Sequence, residues 1–399
     1  MIQKLMHSLK KDKKYQALTG GEAVAVAMRQ IDPDVVAAYP ITPQTPIIET
    51  FAKFVAEGKV STELIDVESE HSALSAVVGA AAAGGRAMTA TSSQGLALMA
   101  EIVYVASGSR LPIVMAVSNR ALSAPINIHC DHTDSMFLRD AGWIQIYSEN
   151  AQEAYDNTLI ALKVAENKKV LLPAMVMQDG FITSHNIENV LLIDDKKAKA
   201  FIGKYEMEYP LLNFKQPVSV GTIDLFDYYF EHKYQQAEAM EEAKKALREA
   251  DKEFYRLTGR KYELVENYRT QDANYVIVVL SSTAGTVKMM VDDLRRKGKK
   301  VGLLKIRVMR PFPAQEVARA LEGKKAVAVL DRSTSFGSTS PVATEVRSAL
   351  YNLKKHPALQ NYVYGLGGRN IGLKDIEKVF AELQAGKVSD NIKYIGLRK

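Results

Sequence analysis

Three side chains of different chemistry follow strand-like segments in the first third of the sequence. Thr42 lies between two prolines, Glu70 opens a run of small residues, and Arg120 follows an apolar run. Because the carboxyl ends of parallel strands meet at one rim of an α/β sheet, we expect the three to share a ligand site. There, an acid could activate a cofactor, and a cation with a hydroxyl could hold an anionic substrate.

Each of these residues also has an ordinary structural explanation. Thr42 could be a turn hydroxyl, although Thr45 is the better candidate for the N-cap of the following helix. Glu70 could complement a helix dipole, as acids do in a first turn. Arg120 could form a surface ion pair. The spacing alone leaves both readings open for all three residues.

Two polar segments lie between the predicted elements. Ser93 and Gln94 belong to the turn 91–95, whose amide hydrogens could meet an anion or a polar ring, or could serve turn formation only. The run 129–134 contains two His, one Cys and two Asp. A zinc site needs three or four well-spaced ligands, so we predict no metal here and favour a loop that lines a cleft or a subunit contact.

The composition is that of an ordinary globular chain. Its 399 residues, of which 47% are hydrophobic and 25% charged, suggest two or three domains. The single cysteine, Cys130, excludes a disulfide framework and a four-cysteine cluster within the chain. We find no signal-like amino terminus and no long apolar run, and we predict a cytoplasmic protein without membrane contact.

The net charge of +6 arises partly from basic runs at 10–14, 196–204 and 295–300. No aromatic residues interleave with these charges, so we interpret the runs as solvated surface and predict no nucleic-acid binding. No P-loop, no dinucleotide fingerprint and no hydrolase elbow occurs in the sequence.

The alternation of elements predicts the fold class. Over residues 18–180, short β-branched runs alternate with helical segments, which is typical of a parallel, doubly wound α/β sheet. The rhythm breaks over 180–272, where an Ala-, Glu- and Lys-rich segment, 234–258, predicts one long exposed helix. A second α/β unit follows. We predict two domains, 1–260 with a helical extension from about 182, and 261–399.

Several motifs, taken in order, resemble the α subunit of the 2-oxoacid:ferredoxin oxidoreductases, above all the members that act on pyruvate. These motifs are Tyr39–Pro43, Glu68–Ala73, Thr91–Met99, Asn119–Ala121 and Asp131–Asp134. The resemblance covers about 15–190 and, more loosely, 273–375. It implies a thiamine-diphosphate pyrimidine-binding domain followed by a smaller domain of transketolase C-terminal type.

The resemblance also implies an activity and residue roles. The activity is the conversion of pyruvate and coenzyme A to acetyl-CoA and CO₂, with ferredoxin as electron acceptor. Glu70 would face the aminopyrimidine ring of thiamine diphosphate and favour the imino tautomer, while Thr42 and Arg120 would contact the carboxylate and carbonyl oxygens of the substrate. The cofactor-binding residues implied in this way are Glu70, Pro40, Ile41, Ser93 and Gln94.

The same resemblance implies that the chain needs partners. Family members bind the diphosphate and Mg²⁺ through a Gly-Asp-Gly motif, and no Gly-Asp dipeptide occurs here. [4Fe–4S] clusters need four cysteines. Subunits of β, γ and δ type would supply these groups. Two alternatives stay open: another 2-oxoacid (2-oxoisovalerate, 2-oxoglutarate or oxalate), or a non-catalytic scaffold subunit.

Overall fold

The structure is a computed structural model that describes residues 14–398. Most of the basic run at 10–14 and the amino terminus lie outside this part. The strands are β1 (Lys14–Thr19), β2 (Val35–Ala38), β3 (Glu63–Asp66), β4 (Ala87–Thr91), β5 (Val114–Asn119), β6 (Ile144–Ser148), β7 (Ala174–Asp179), β8 (Ile187–Leu192), β9 (Val265–Tyr268), β10 (Tyr275–Leu280), β11 (Val301–Ile306), β12 (Val308–Arg310), β13 (Ala326–Asp331), β14 (Ala358–Val363) and β15 (Lys393–Tyr394).

Helices cover both faces of the sheets. They are α1 (Gly20–Ile31), α2 (Thr45–Ala56), α3 (Glu70–Ala82), α4 (Ser93–Leu98), α5 (Ala100–Gly108), α6 (Thr133–Phe137), α7 (Ala151–Ala165), α8 (Asp195–Ile202), α9 (Tyr229–Thr258), α10 (Thr283–Arg296), α11 (Ala314–Leu321), α12 (Pro341–Leu350) and α13 (Leu373–Gln384). Within the described residues, none is long and apolar enough to cross a membrane.

The first sheet has seven strands in the order β12-β6-β7-β5-β4-β2-β3. All its pairs are parallel except that of β12 with β6. Its central strands are buried throughout their length, as expected for strands with helices on both faces. The predicted doubly wound parallel sheet is therefore confirmed, and the residues that follow β2, β4 and β5 meet at its carboxyl rim.

The second sheet has six strands in the order β15-β14-β13-β10-β11-β9, with β9 antiparallel to β11. The two sheets are not independent, because β12 follows β11 in the chain and yet pairs with β6 of the first sheet. A strand of three residues is too short to show any hydrophobic period, and the sequence analysis missed it. The division at residue 260 stays a prediction.

The region 180–272 contains more structure than the sequence indicated. β8 pairs with β1 in a two-stranded antiparallel sheet, and α9 begins at Tyr229, earlier than predicted. The prediction that this helix is exposed was wrong along one face, where Ala239, Ala243 and Leu247 are buried in the hydrophobic core of the first domain. Alanines at helical spacing allow this close packing. An exposed helix rich in alanine has the same composition, so composition did not reveal the buried face.

The start of α2 also differs from the prediction. Thr45 is the first helical residue, and Gln44 occupies the N-cap position without a side-chain capping bond. The reason is a tight turn before the helix, in which the amides of Gln44 and Thr45 both donate to the carbonyl of Ile41, at 2.7 and 3.2 Å. This turn carries Thr42 at its tip.

Candidate active site

Glu70 lies in the first turn of α3 with its carboxylate turned into the protein. Ser69, in extended conformation, caps the helix by accepting from the amide of Ser72 at 3.2 Å. Glu70 is only 7% exposed and packs against Gly95 of the turn after β4. A Cβ at Gly95 would lie 2.6 Å from Oε1 of Glu70, so a side chain there would displace the carboxylate.

The Glu70 carboxylate makes no hydrogen bond and no ion pair with any residue of the described range 14–398. The neighbouring acids differ: Asp66 and Glu68 are exposed, and Glu68 accepts from the hydroxyl of Ser72. Glutamates this buried are almost always paired in folded proteins, so this carboxylate is a candidate to bind a group from outside the chain.

Arg120 is the cation of the predicted site. It is 7% exposed, and its guanidinium donates from Nη1 to the carbonyl of Thr42 at 2.9 Å and from Nε to the carbonyl of Asn127 at 3.1 Å. Among residues 14–398 it has no carboxylate partner, so the alternative of a surface ion pair does not apply. Burial lowers its pKa. Nη2 remains available, and an Arg fork suits a carboxylate ligand.

Thr42 lies beside Arg120, as predicted. Its carbonyl holds the guanidinium, and its exposed hydroxyl makes no hydrogen bond to the part of the chain described. Pro40, which is exposed, and Ile41, which is half-buried, belong to the same turn. The structure thus brings a hydroxyl and a cation together at the rim, with two partly exposed apolar residues next to them.

Asp134 joins the two strand ends that carry the site. Its Oδ2 accepts from the amides of Ser93 and Arg120, each at 3.0 Å, and its Oδ1 accepts from Asn119 Nδ2 at 2.7 Å and from the amide of Ser135 at 2.8 Å. Burial raises the pKa of Asp134 to about 6, and the hydrogen bonds from Arg120, Asn119 and Ser93 oppose that rise. The sequence analysis placed Asp134 in a polar loop and missed this role.

The turn 91–95 lies between Glu70 on one side and Arg120 on the other. Ser93 is fully buried in the left-handed region, with φ of 48°. Its amide is bound to Asp134, and its Oγ lies 2.5 Å from the carbonyl of Ala121. Gln94 is half-buried, with Oε1 2.6 Å from the same hydroxyl. Gln94 is thus the member of this pair whose side chain reaches the surface.

The polar run 129–134 contains one candidate metal cluster, because ligand atoms of Cys130, His132 and Asp179 lie within 4.8 Å of one another. A cation already occupies this place, since Nη1 of Arg332 donates to Asp179 at 2.9 Å. Burial raises the pKa of the Cys130 thiol well above its ordinary value, which disfavours the thiolate that a metal would need. We assign no metal here.

Both halves of the sequence match known families. Residues 26–252 match the family described as pyruvate flavodoxin/ferredoxin oxidoreductase, thiamine diphosphate-binding, and residues 273–376 match pyruvate:ferredoxin oxidoreductase core domain II. Pyruvate synthase subunit PorA of Thermotoga maritima is 58% identical over 384 residues, which are 96% of this chain and 98% of that protein. Ketoisovalerate oxidoreductase subunit VorA of Pyrococcus abyssi is 43% identical over 389 residues, with the same coverage of 96% and 98%.

Two solved structures share the fold. A 2-oxoglutarate:ferredoxin oxidoreductase from Magnetococcus marinus matches with a TM-score of 0.71 and 19% identity, over 93% of this chain and 66% of that chain. A split gene transketolase matches with a TM-score of 0.56 and 11% identity, over 93% of this chain and 98% of that chain. The predicted fold class, a thiamine-type domain followed by a second α/β domain, is confirmed.

Replacing Asp134 by Asn tests its part in holding the site. Because the pKa of Asp134 is raised from 3.8 to about 6, its contribution to stability is present below about pH 4 and is lost as the pH rises through 6, by roughly 2–3 kcal/mol. Asp134→Asn lacks this titration and turns an NH₂ group towards backbone donors. We expect wild type to melt above the variant, by most at pH 5 and by less at pH 7.

The measurement is the thermal midpoint of the purified complex between pH 5 and pH 7. Asp66→Asn, which changes an exposed aspartate, is the control and should follow wild type at every pH. A gap between wild type and Asp134→Asn that stays constant over this range would contradict the assignment.

Proposed function

The chain belongs to the pyruvate:ferredoxin oxidoreductase family, and from this premise we propose that it is the α-type, pyruvate-binding subunit of such an enzyme. The reaction is pyruvate, coenzyme A and oxidised ferredoxin to acetyl-CoA, CO₂ and reduced ferredoxin. The observation that carries the proposal is the buried carboxylate of Glu70, which has no partner among residues 14–398 and lies at the rim where Arg120 and Thr42 also meet.

The site suits thiamine diphosphate. When bound, this cofactor supplies an electron sink for the carbanion that remains after CO₂ leaves. Glu70 would hold the cofactor ring by a hydrogen bond and exchange a proton with it, which is the role of a positioned acid–base group. Pro40, Ile41 and Gln94 are partly exposed beside the site and would line it, while Ser93 would shape the turn from within.

The charged and polar groups of the site indicate where the substrate would bind. A 2-oxoacid carries a carboxylate, and Arg120 offers an unneutralised guanidinium beside the hydroxyl of Thr42. The two carbonyls that hold Arg120 orient the cation without neutralising it, so its charge stays available to an anion. Pyruvate is favoured over 2-oxoisovalerate because identity is 58% to the pyruvate synthase subunit and 43% to the ketoisovalerate subunit.

We propose that β-, γ- and δ-type subunits complete the enzyme. They would bind the diphosphate with Mg²⁺ and carry [4Fe–4S] clusters, because this sequence has no Gly-Asp dipeptide and only one cysteine. That cysteine, Cys130, is a buried, unpaired thiol, which agrees with a cytoplasmic location.

An exposed apolar segment supports this partnership. The arm, residues 203–234, is attached at the end of α3, where the amide of Leu211 donates to the carbonyl of Ala82 at 2.8 Å. Its exposed large side chains are Tyr209, Leu211, Leu212, Phe214, Ile223, Leu225, Phe226, Tyr228, Tyr229, Phe230 and Tyr234. Together they present on the order of 1,000 Å², more than the roughly 800 Å² that one partner buries in a standard interface. We propose that another subunit covers the arm.

Glu70→Gln tests the proposed acid. The amide keeps the size of the side chain but cannot exchange a proton, so we expect the turnover rate of the reconstituted complex to fall by at least about 100-fold. Subunit assembly should stay intact. The measurement is pyruvate-dependent ferredoxin reduction, together with the thiamine diphosphate content of the complex.

Glu68→Gln is the matched control, because Glu68 is an exposed acid two residues away, and it should retain wild-type activity. Full activity in Glu70→Gln would refute the role of Glu70 and favour a scaffold subunit.

Arg120→Ala tests the substrate contact. We expect kcat/KM for pyruvate to fall about 100-fold, because hydrogen bonds to a charged group contribute roughly 1.5–3 kcal/mol each. Thiamine diphosphate content should not change. Steady-state assays with pyruvate, 2-oxoisovalerate, 2-oxoglutarate and oxalate compare the substrates, and Arg139→Ala, a half-exposed arginine, is the control. Preference of the wild-type complex for a substrate other than pyruvate would overturn the proposed specificity.

Phe226→Glu tests the arm. Phe226 is 98% exposed in this chain, so a charge there should not affect folding, but it would place a carboxylate inside the proposed interface. We expect co-purification of the partner subunits to be lost, and with it the absorbance of the clusters. Phe336→Glu, at a phenylalanine that is 94% exposed outside the arm, is the control. Unchanged co-purification of Phe226→Glu would show that the arm lies outside the interface.

A further inference from the structure

The loop that adjoins Arg120 is bound to the second domain as well as to its own. The amide of His132 donates to the carbonyl of Arg332 at 2.8 Å, and the amide of Gly368 donates to the carbonyl of Cys130 at 2.7 Å. Asn127, whose carbonyl holds Arg120, donates from Nδ2 to the carbonyl of Gly367 at 3.1 Å. The loop 121–132 therefore lies clamped between the two domains.

Asp179 is the centre of this contact. It ends β7, is fully buried, and accepts from Nε2 of His132 at 2.8 Å and from Nη1 of Arg332 at 2.9 Å. Ser282, at the end of β10, donates to the same carboxylate from its hydroxyl and its amide. Burial alone would raise the pKa of Asp179, but His132 and Arg332 hold it well below its usual range. One carboxylate of the first domain thus binds two residues of the second.

His132 connects this cluster to the active site. It precedes α6, whose second residue is Asp134, and Asp134 accepts from the amides of Ser93 and Arg120. A shift of His132 would therefore move Asp134, and Asp134 would carry the ends of β4 and β5 with it. The connection runs from Asp179 to His132 by a hydrogen bond, from His132 to Asp134 through the backbone of Thr133, and from Asp134 to Arg120 by a second hydrogen bond.

We propose that Asp179 is a positioning residue for pyruvate binding, through which the second domain orients the loop 121–134 and hence Arg120. Only the expected effect on pyruvate kinetics rests on the proposed function; the expected effect on the mobility of the loop does not. It gives the second domain a role in substrate affinity, although Arg332 and Ser282 are not placed against the substrate.

The chain contains a matched interdomain contact that lacks this connection. Lys305 of β11 is buried and pairs with Glu149 at 2.7 Å, just before α7, and with Glu153 at 2.6 Å, in the first turn of α7 in the first domain. Like the cluster at Asp179, this cluster is a set of ion pairs around a buried charged residue that crosses between the domains, with the signs of the charges reversed. It contacts α7 and has no hydrogen bond to the loop 121–134.

The test compares Asp179→Asn with Lys305→Met in the reconstituted complex. We expect both variants to lower the thermal midpoint. Only Asp179→Asn should lower kcat/KM for pyruvate, by about tenfold, with KM for coenzyme A unchanged. It should also raise amide hydrogen exchange over residues 119–135 at least tenfold, and Lys305→Met should leave that exchange at the wild-type rate.

Equal effects of the two variants on exchange and on kcat/KM for pyruvate would overturn the proposal, because a merely structural role predicts that equality. If Asp179→Asn does not fold, Arg332→Lys is measured in the same way. This substitution keeps the positive charge and removes the planar guanidinium that donates to Asp179. Wild-type exchange in Arg332→Lys would then overturn the proposal. Absence of pyruvate turnover in the wild-type complex would refute the proposed function, and the exchange measurement would still decide the role of Asp179.

Discussion

The geometry of the candidate site depends on one buried carboxylate, Asp134. A parallel sheet brings the turns after β4 and β5 to the same rim, but ladder hydrogen bonds end with the strands and do not fix the turns to each other. Asp134 does so by accepting from the amides of Ser93 and Arg120 through one oxygen. Burial raises the pKa of Asp134, and the hydrogen bonds from Arg120, Asn119 and Ser93 act against that rise.

Glu70 and Arg120 present the opposite situation. Each is buried and neither forms an ion pair within the described chain, although the carboxylate of Asp134, which holds the amide of Arg120, also favours the charge of that guanidinium. In most protein interiors ionisable side chains are either absent or paired. Residues that depart from this rule are typical of functional sites. The backbone keeps both groups open to a ligand: Gly95 leaves room for the carboxylate of Glu70 because it has no side chain, and the carbonyls of Thr42 and Asn127 orient Arg120 without neutralising it.

The sequence predicted the parts of the fold that depend on local pattern. Strands such as β5 are continuous apolar runs, and the rim positions of Thr42 and Arg120 follow from where the strands end. The residue pattern alone did not distinguish Glu70 from Asp66 and Glu68, and only the family resemblance singled it out, because the burial of Glu70 involves Gly95, 25 residues away in the printed sequence. The role of Asp134 was missed for the same reason, since its partner Ser93 lies 41 residues away.

The unpartnered carboxylate also makes cofactor binding and assembly depend on each other in the proposed enzyme. A ligand that binds only the folded state stabilises it, and a group that donates to Glu70 would give this carboxylate the partner that it lacks within the described chain. In the proposed enzyme a second polypeptide would bind the diphosphate end of this ligand, since no Gly-Asp dipeptide occurs in this sequence. Partner and cofactor would then each raise the affinity of the chain for the other, since such coupling is reciprocal.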